Sequence, residues 1–277
     1  TGRERRFARP PRRGREGMSA NWQDLKPRVI AGIAMVAIGA AAIQAGGVWW
    51  QVLIALISGG MVWELVCMVD TGRTKSQYIL AVATALCLLV AINIPPSFAL
   101  PLLLLPSMLG FTRMERGGVT YAVTTMMITL AGYSMMALRG DYGLTWMLWL
   151  VCVVVATDVM GYFAGKSLGG PKVWPRVSPK KTWSGTIGGW IGAAVVGAVW
   201  AGWTVEGAGL IGISIAVSMA SQIGDMAEST IKRRAGVKDS SNLIPGHGGL
   251  MDRFDGMLGG AVFLIIAGQI VGFPPGV

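Results

Sequence analysis

The sequence predicts an all-α polytopic membrane protein with about nine transmembrane helices, its N-terminus cytoplasmic and its C-terminus outside. Three observations carry that prediction. The 277-residue chain is 53% apolar and only 14% charged, against ~25% charged residues in an ordinary soluble domain. The apolar residues fall in long runs, near the ~20 residues that a spanning helix needs. The basic residues gather in clusters between those runs. The apolar content excludes a disordered chain, the missing glycine triplet excludes collagen, and three cysteines exclude a disulfide scaffold.

In chain order, residues 1–28 form a basic cytoplasmic segment holding nine of the 24 Lys and Arg residues. Residues 1–17 are Arg-rich and end immediately before Met18; they read as a disordered tail or as residues upstream of the true start. No A-x-A-like site follows the first apolar run, so no cleavable signal peptide is expected. The runs expected to span are 29–45, 47–69, 77–94, 97–111, 119–138, 144–164, 183–204, 208–228 and 256–273. The fourth is short and is expected to tilt little or to be partly re-entrant. Residues 29–138 make an N-terminal group of helices, and residues 139–277 a C-terminal region with two long polar loops, 165–182 and 229–255. Cys67, Cys87 and Cys152 lie inside spans, as small packing residues.

The positive-inside rule tests this count. With the N-terminus inside, the cytoplasmic loops are 70–76, 112–118, 165–182 and 229–255. Together with the N-terminal segment they hold 23 of the 24 basic residues, leaving only Arg139 on the other side. The net charge of +10 then reflects membrane orientation and attraction to anionic lipid, not a nucleic-acid partner.

Acidic residues inside spans are costly and usually functional. Here they are Glu64, Asp158, Asp225 and Glu228, with Asp252 and Asp255 at the mouth of the last span. The topology puts all six at the cytoplasmic end of their helices. Carboxylates gathered at one depth need a cation, protons or Lys/Arg partners. Glu64 has a plain alternative, pairing with a loop arginine, and Glu228 another, an ion pair with Lys232 at i+4.

The two long loops carry the rest of the chemistry. Ser178-Pro-Lys180-Lys181-Thr182 directly precedes an apolar run. It puts hydroxyls and ammoniums at a helix N-terminus, a natural anion site. In the second loop Asp225, Glu228, Ser229 and Lys232 recur at three- and four-residue intervals and share one face if the helix continues past the membrane boundary. His247, the only histidine, stands in Pro-Gly-His-Gly-Gly, where glycines let backbone approach a ligand. One histidine cannot build a His-rich zinc site. Hard carboxylate oxygens beside Lys and Arg suit Mg²⁺ with a polyphosphate, and no P-loop or Rossmann fingerprint is present.

The run Ser229-x-Ile-Lys232-Arg233-x₄-Lys238-Asp239-x-Ser241-x₂-Ile244-Pro245-x-His247-Gly248-Gly249-Leu-x-Asp252-Arg253-Phe-Asp255 closely resembles the signature of the phosphatidate cytidylyltransferases (CDP-diacylglycerol synthases). The upstream stretch from Asp158 through Gly161-Tyr-Phe-Ala-Gly165-Lys166 to Val177–Gly185 resembles that family too, with Ser184 where an acidic or small residue is usual. The N-terminal half resembles it only in hydropathy. The resemblance implies a Mg²⁺-dependent enzyme of the bacterial cytoplasmic (inner) membrane. Its active site faces the cytoplasm and converts CTP and phosphatidic acid to CDP-diacylglycerol and pyrophosphate; residues 139–277 are then the catalytic region. It further implies a homodimer. Gly185-x-x-Gly188 and Gly188-x-x-x-Gly192 permit close helix packing, within or between chains.

The roles expected on that basis divide as follows. Asp225 and Asp252 hold Mg²⁺ or a metal pair, and Asp255 supports them or binds a second cation, divalent or monovalent. Lys232, Arg253 and Lys238 neutralise phosphate, and His247 donates to it or to the leaving pyrophosphate. Ser178, Lys180, Lys181 and Thr182 form the opposite wall, and Ser229, Arg233, Asp239, Gly248 and Gly249 complete the substrate site. Two rivals stay open: another CTP-dependent lipid enzyme (a polyprenol or phytol kinase, or a CDP-archaeol synthase) and a cation transporter.

Overall fold

In the computed structural model of the chain, residues 22–70, 74–114, 117–204 and 207–274 are described. The readings for residues 1–17, Arg73 and Arg116 lie outside them. The described residues form nine α-helices and one β-hairpin. They are α1 (Trp22–Ala45), α2 (Gly47–Val69), α3 (Thr74–Ala91), α4 (Pro96–Arg113), α5 (Gly118–Asp141) and α6 (Leu144–Leu168), then β1 (Lys172–Trp174) and β2 (Ser178–Thr182), then α7 (Trp183–Ala201), α8 (Gly209–Arg234) and α9 (Met251–Val271). Each expected run is found as a helix. Six of the helices, α1, α2, α5, α6, α7 and α8, are long and apolar enough to cross a membrane. The apolar part of α3 is shorter, and α4 carries Pro101 and Pro106 in its interior.

Several helices run beyond the expected apolar limits, and two of these extensions bear on the polar loops. α6 continues to Leu168 and α8 to Arg234, so the polar residues after each run are helical. The α8 extension puts Asp225, Glu228, Ser229 and Lys232 on one continuous helix. The remainder of loop 165–182 is ordered as well. β1 and β2 pair antiparallel, with Lys172 opposite Thr182 and Trp174 opposite Ser178. Gly169 and Gly170, both at positive φ, turn the chain out of α6 into this hairpin, a backbone shape that a Cβ would resist. The hairpin was not expected, because a three-residue strand carries no readable alternation.

The core lies where α2, α5, α6, α8 and α9 meet. Val62, Leu65, Val66, Ile128, Trp149 and Leu150 are wholly buried there. Outward positions such as Ile33, Val36, Val82 and Ile191 are exposed, as lipid-facing residues should be, since a bilayer gives apolar side chains no reason to turn inward. Some polar groups inside pair across helices: Trp149 Nε1 donates to Ser214 Oγ at 3.0 Å, and Thr157 Oγ1 to Ser218 Oγ at 2.8 Å. The seam between α6 and α7 is the most extensive in the molecule. A Cβ on Gly185 would lie 2.7 Å from the Gly161 carbonyl oxygen, and one on Gly192 3.0 Å from that of Ala156. The small residues of α7 are therefore used within the chain. The α8–α9 seam is as close: a Cβ on Gly224 would stand 2.5 Å from the Asp255 carbonyl oxygen.

Candidate functional site

Two groups of charged side chains form where β2, α6, α8 and α9 approach one another. In the first, Lys181 of β2 pairs with Asp225 of α8, and Ser229 Oγ donates to Asp225 Oδ1 at 3.4 Å. This ion pair joins the two polar loops. Asp158 of α6 lies within electrostatic reach of Asp225 and Lys181. Asp255 of α9 feels Asp225, Asp158 and Lys232. Lys181 thus serves Asp225 and Asp158, while the cation that Asp255 feels is Lys232. Asp255 stands before the apolar stretch 256–273. Burial, reinforced by the Asp225 charge, pushes its carboxyl up to about 7, even though the Gly256 N–H donates to it at 2.8 Å.

In the second group one lysine serves two carboxylates. Lys232 Nζ donates to Asp252 Oδ1 at 2.5 Å and lies 2.6 Å from Glu228 Oε2, so the expected i+4 pair forms. Asp252 Oδ2 accepts from Ser240 N at 2.9 Å, Ser240 Oγ at 2.9 Å and Gly249 N at 2.8 Å. Burial works against ionisation of Asp252. Lys232 and the two backbone donors outweigh it and hold the carboxyl down to about 2.

The loop between α8 and α9 is tightly built. Ile244 N donates to Gly248 O at 2.9 Å, and His247 N to Ile244 O at 2.9 Å. Gly246 and Gly248 have φ of 72° and 81°, which explains glycine on either side of His247. Arg253 Nε donates to His247 O at 2.9 Å, so the arginine braces the turn. Lys180, Arg233, Lys238 and Asp239 are exposed around it, and Arg233 Nη1 donates to Val237 O at 3.3 Å. Thr182, expected as an anion ligand, is the N-cap of α7: its Oγ1 accepts from Gly185 N at 3.2 Å. The predicted helix start after Ser-Pro-Lys-Lys-Thr is thus in place, with Thr182 as its cap. Ser178 pairs across the hairpin with Trp174.

Asp225, Asp252 and Asp255 do not converge as three ligands of one ion; among the described residues no set of three His, Cys, Asp or Glu side chains is so arranged. Both oxygens of Asp252 accept from protein donors, and those of Asp225 face Lys181 and Ser229. Sequence reasoning left Asp158 and Glu64 outside the site. Asp158 belongs with Asp225 and Asp255, and its position inside an apolar span was the signal. Glu64 is wholly buried and accepts hydrogen bonds from Ser240 Oγ, Ser241 Oγ, Leu250 N and Met251 N. Its partners are thus in the α8–α9 loop, where the sequence suggested a loop arginine.

Residues 26–271 match the model of the Cytidylyltransferase family. Among curated proteins, the chain is 47% identical over 152 residues to the phosphatidate cytidylyltransferase of Brucella abortus biovar 1 (strain 9-941), covering 52% of this chain and 56% of that one. It is 38% identical over 151 residues to that of Bacillus subtilis (strain 168), covering 53% and 56%. It is 42% identical over 129 residues to that of Haemophilus influenzae, covering 44% and 45%. The chain spans about half the length of the curated relatives it matches.

Proposed function

Because the chain belongs to the Cytidylyltransferase family, we propose that it transfers the cytidylyl group of CTP to phosphatidic acid, giving CDP-diacylglycerol and pyrophosphate. The observation that carries this reading is the joining of the two polar loops through Lys181 and Asp225 beside Asp158 and Asp255. Lysines and surplus carboxylates around one point suit a polyphosphate bound with a divalent cation. A phosphate oxygen of phosphatidic acid attacks the α-phosphorus of CTP. The bond from that phosphorus to the bridging oxygen breaks, and pyrophosphate leaves with the electron pair. The attacking phosphate is largely dianionic at pH 7, its second pKa being about 6, so no strong base is required.

The chain's own residues then bind and orient. Lys181 and the exposed Lys180, Lys238 and Arg253 attract triphosphate and lipid phosphate. The Gly246–Gly249 turn lets backbone N–H groups and His247 approach them. The donor set fits Mg²⁺: Asp225, Asp255 and Asp158 lie within electrostatic reach of one another, and a divalent cation would relieve their mutual repulsion. Asp225 and Asp255 would hold it, with Asp158 behind them, while Asp252 stays tied to Lys232. Bound there, Mg²⁺ supplies charge neutralisation for the phosphates.

The working topology has nine spans, the N-terminus and both polar loops in the cytoplasm, and the site at the headgroup level of a bacterial inner membrane, as a homodimer. Purified protein in detergent, given CTP, phosphatidic acid and Mg²⁺, should form CDP-diacylglycerol and release pyrophosphate, and EDTA should stop both. CTP consumption only with a polyprenol or phytol would move the assignment to a lipid kinase.

A further inference from the structure

We infer that Glu64, which belongs to the N-terminal group of helices, is a positioning residue. It clamps the α8–α9 loop and sets the geometry of the site from the far side of the fold. The inference rests on the reaction proposed above. Four donors meet this one side chain. Oε1 accepts from Ser241 Oγ at 2.6 Å and Leu250 N at 2.8 Å; Oε2 accepts from Ser240 Oγ at 3.0 Å and Met251 N at 2.8 Å. All four come from residues 240–251, and the carboxylate is 0% exposed.

The arrangement has two physical consequences. α9 begins at Met251, and its N-cap position, Leu250, makes no side-chain cap hydrogen bond. Free N–H groups at a helix start need an acceptor and favour a negative charge. Glu64 meets that need from another helix. Ser240 Oγ also lies 2.9 Å from Asp252 Oδ2, so one hydroxyl shares its single proton between Glu64 and Asp252, and Asp252 holds Lys232. The position of Lys232 and of the glycine turn is therefore referred back to α2. There is no slack in this contact, since a Cβ on Gly249 would collide with both Ser240 Oγ and Glu64 Oε1.

The chemistry demands a carboxylate. Each oxygen faces one backbone N–H, so a glutamine must aim its NH₂ at Leu250 N–H or Met251 N–H, donor against donor. The loop then shifts. A misplacement of about 1 Å costs on the order of 10²-fold in rate. The cost falls on kcat, because the exposed lysines still collect substrate.

The test compares Glu64→Gln with Leu65→Ala, a cavity variant at the next, equally buried position, at temperatures giving equal folded fractions. Glu64→Gln should lower kcat on the order of 10²-fold with the KM for CTP changed less than about threefold; Leu65→Ala should keep kcat within about threefold. Equal kcat in the two variants overturns the inference and leaves Glu64 a brace for stability. If Glu64→Gln does not fold, Ser241→Ala removes one donor and should cost about tenfold in kcat; unchanged kcat there overturns it as well. Amide exchange separates this failure from that of the reaction itself. If the wild type makes no CDP-diacylglycerol, the proposed function falls. The clamp then stands on loss of protection at Leu250 and Met251 in Glu64→Gln but not in Leu65→Ala, and unchanged protection overturns it.

Discussion

Asp252 and Asp255 stand three residues apart at the start of one helix and live in opposite electrostatic surroundings. Asp252 is surrounded by donors, Lys232 and the Ser240 and Gly249 amides, and its carboxyl is held down to about 2. Asp255 is buried beside Asp225 and Asp158, and its carboxyl is pushed up to about 7. One carboxylate is used up in holding the loop. The other lies away from water beside two more carboxylates. On the proposed reading the cation sits at the second, a distinction that residue type and spacing alone do not draw.

The largest effect should come from removing charge at the second. Asp225→Asn and Asp255→Asn should each lower CDP-diacylglycerol formation about 10²–10³-fold, with Asp255→Asn raising the Tm of the metal-free protein. A lowered Tm would mean that Asp255 is already paired. Asp252→Asn should act through the fold instead. Lys232 then keeps Glu228 but loses the second of its two carboxylate partners, which should cost about 1–3 kcal/mol in chemical denaturation in detergent, and a neutral result would erase the contrast between the two residues.

The pH response should divide the same way. A carboxyl raised in the folded state binds more protons there than in the unfolded chain between about pH 4 and pH 7, so acidification across that window should raise the Tm through Asp255. Below about pH 4 the depressed Asp252 works in reverse, and stability should fall as pH approaches about 2. Thermal scans of Asp255→Asn should show the first slope reduced and the second kept. The smallest effect is expected at Thr182. Replacing this N-cap by Ala should cost about 1 kcal/mol and leave the KM for CTP within about twofold; a large rise in KM would restore it as a phosphate ligand.

The helices were legible because apolar runs and charge clusters follow directly from the bilayer. The Asp225-to-Lys232 face was legible because helical spacing is local. The hairpin was not, since Lys172–Trp174 is too short to show a period. The partition between Asp252 and Asp255 was not legible either. It depends on which carboxylate Ser240 and Gly249 reach, and that is set by the glycine turn around His247. Glu64 could be flagged as an acid in a span, but its partners lie 176 or more residues away, and a single sequence carries no sign of them.

That separation has a consequence for the order in which the protein is made. Glu64 leaves the ribosome and enters the membrane early; Ser240 follows 176 residues later, roughly 10–35 s at the usual pace of synthesis of ~5–20 residues per second. Throughout that interval the acid has none of its four loop partners. A helix bearing it must be held by insertion machinery, by neighbouring helices or by a borrowed proton, and the final third of the chain then releases it by folding onto it.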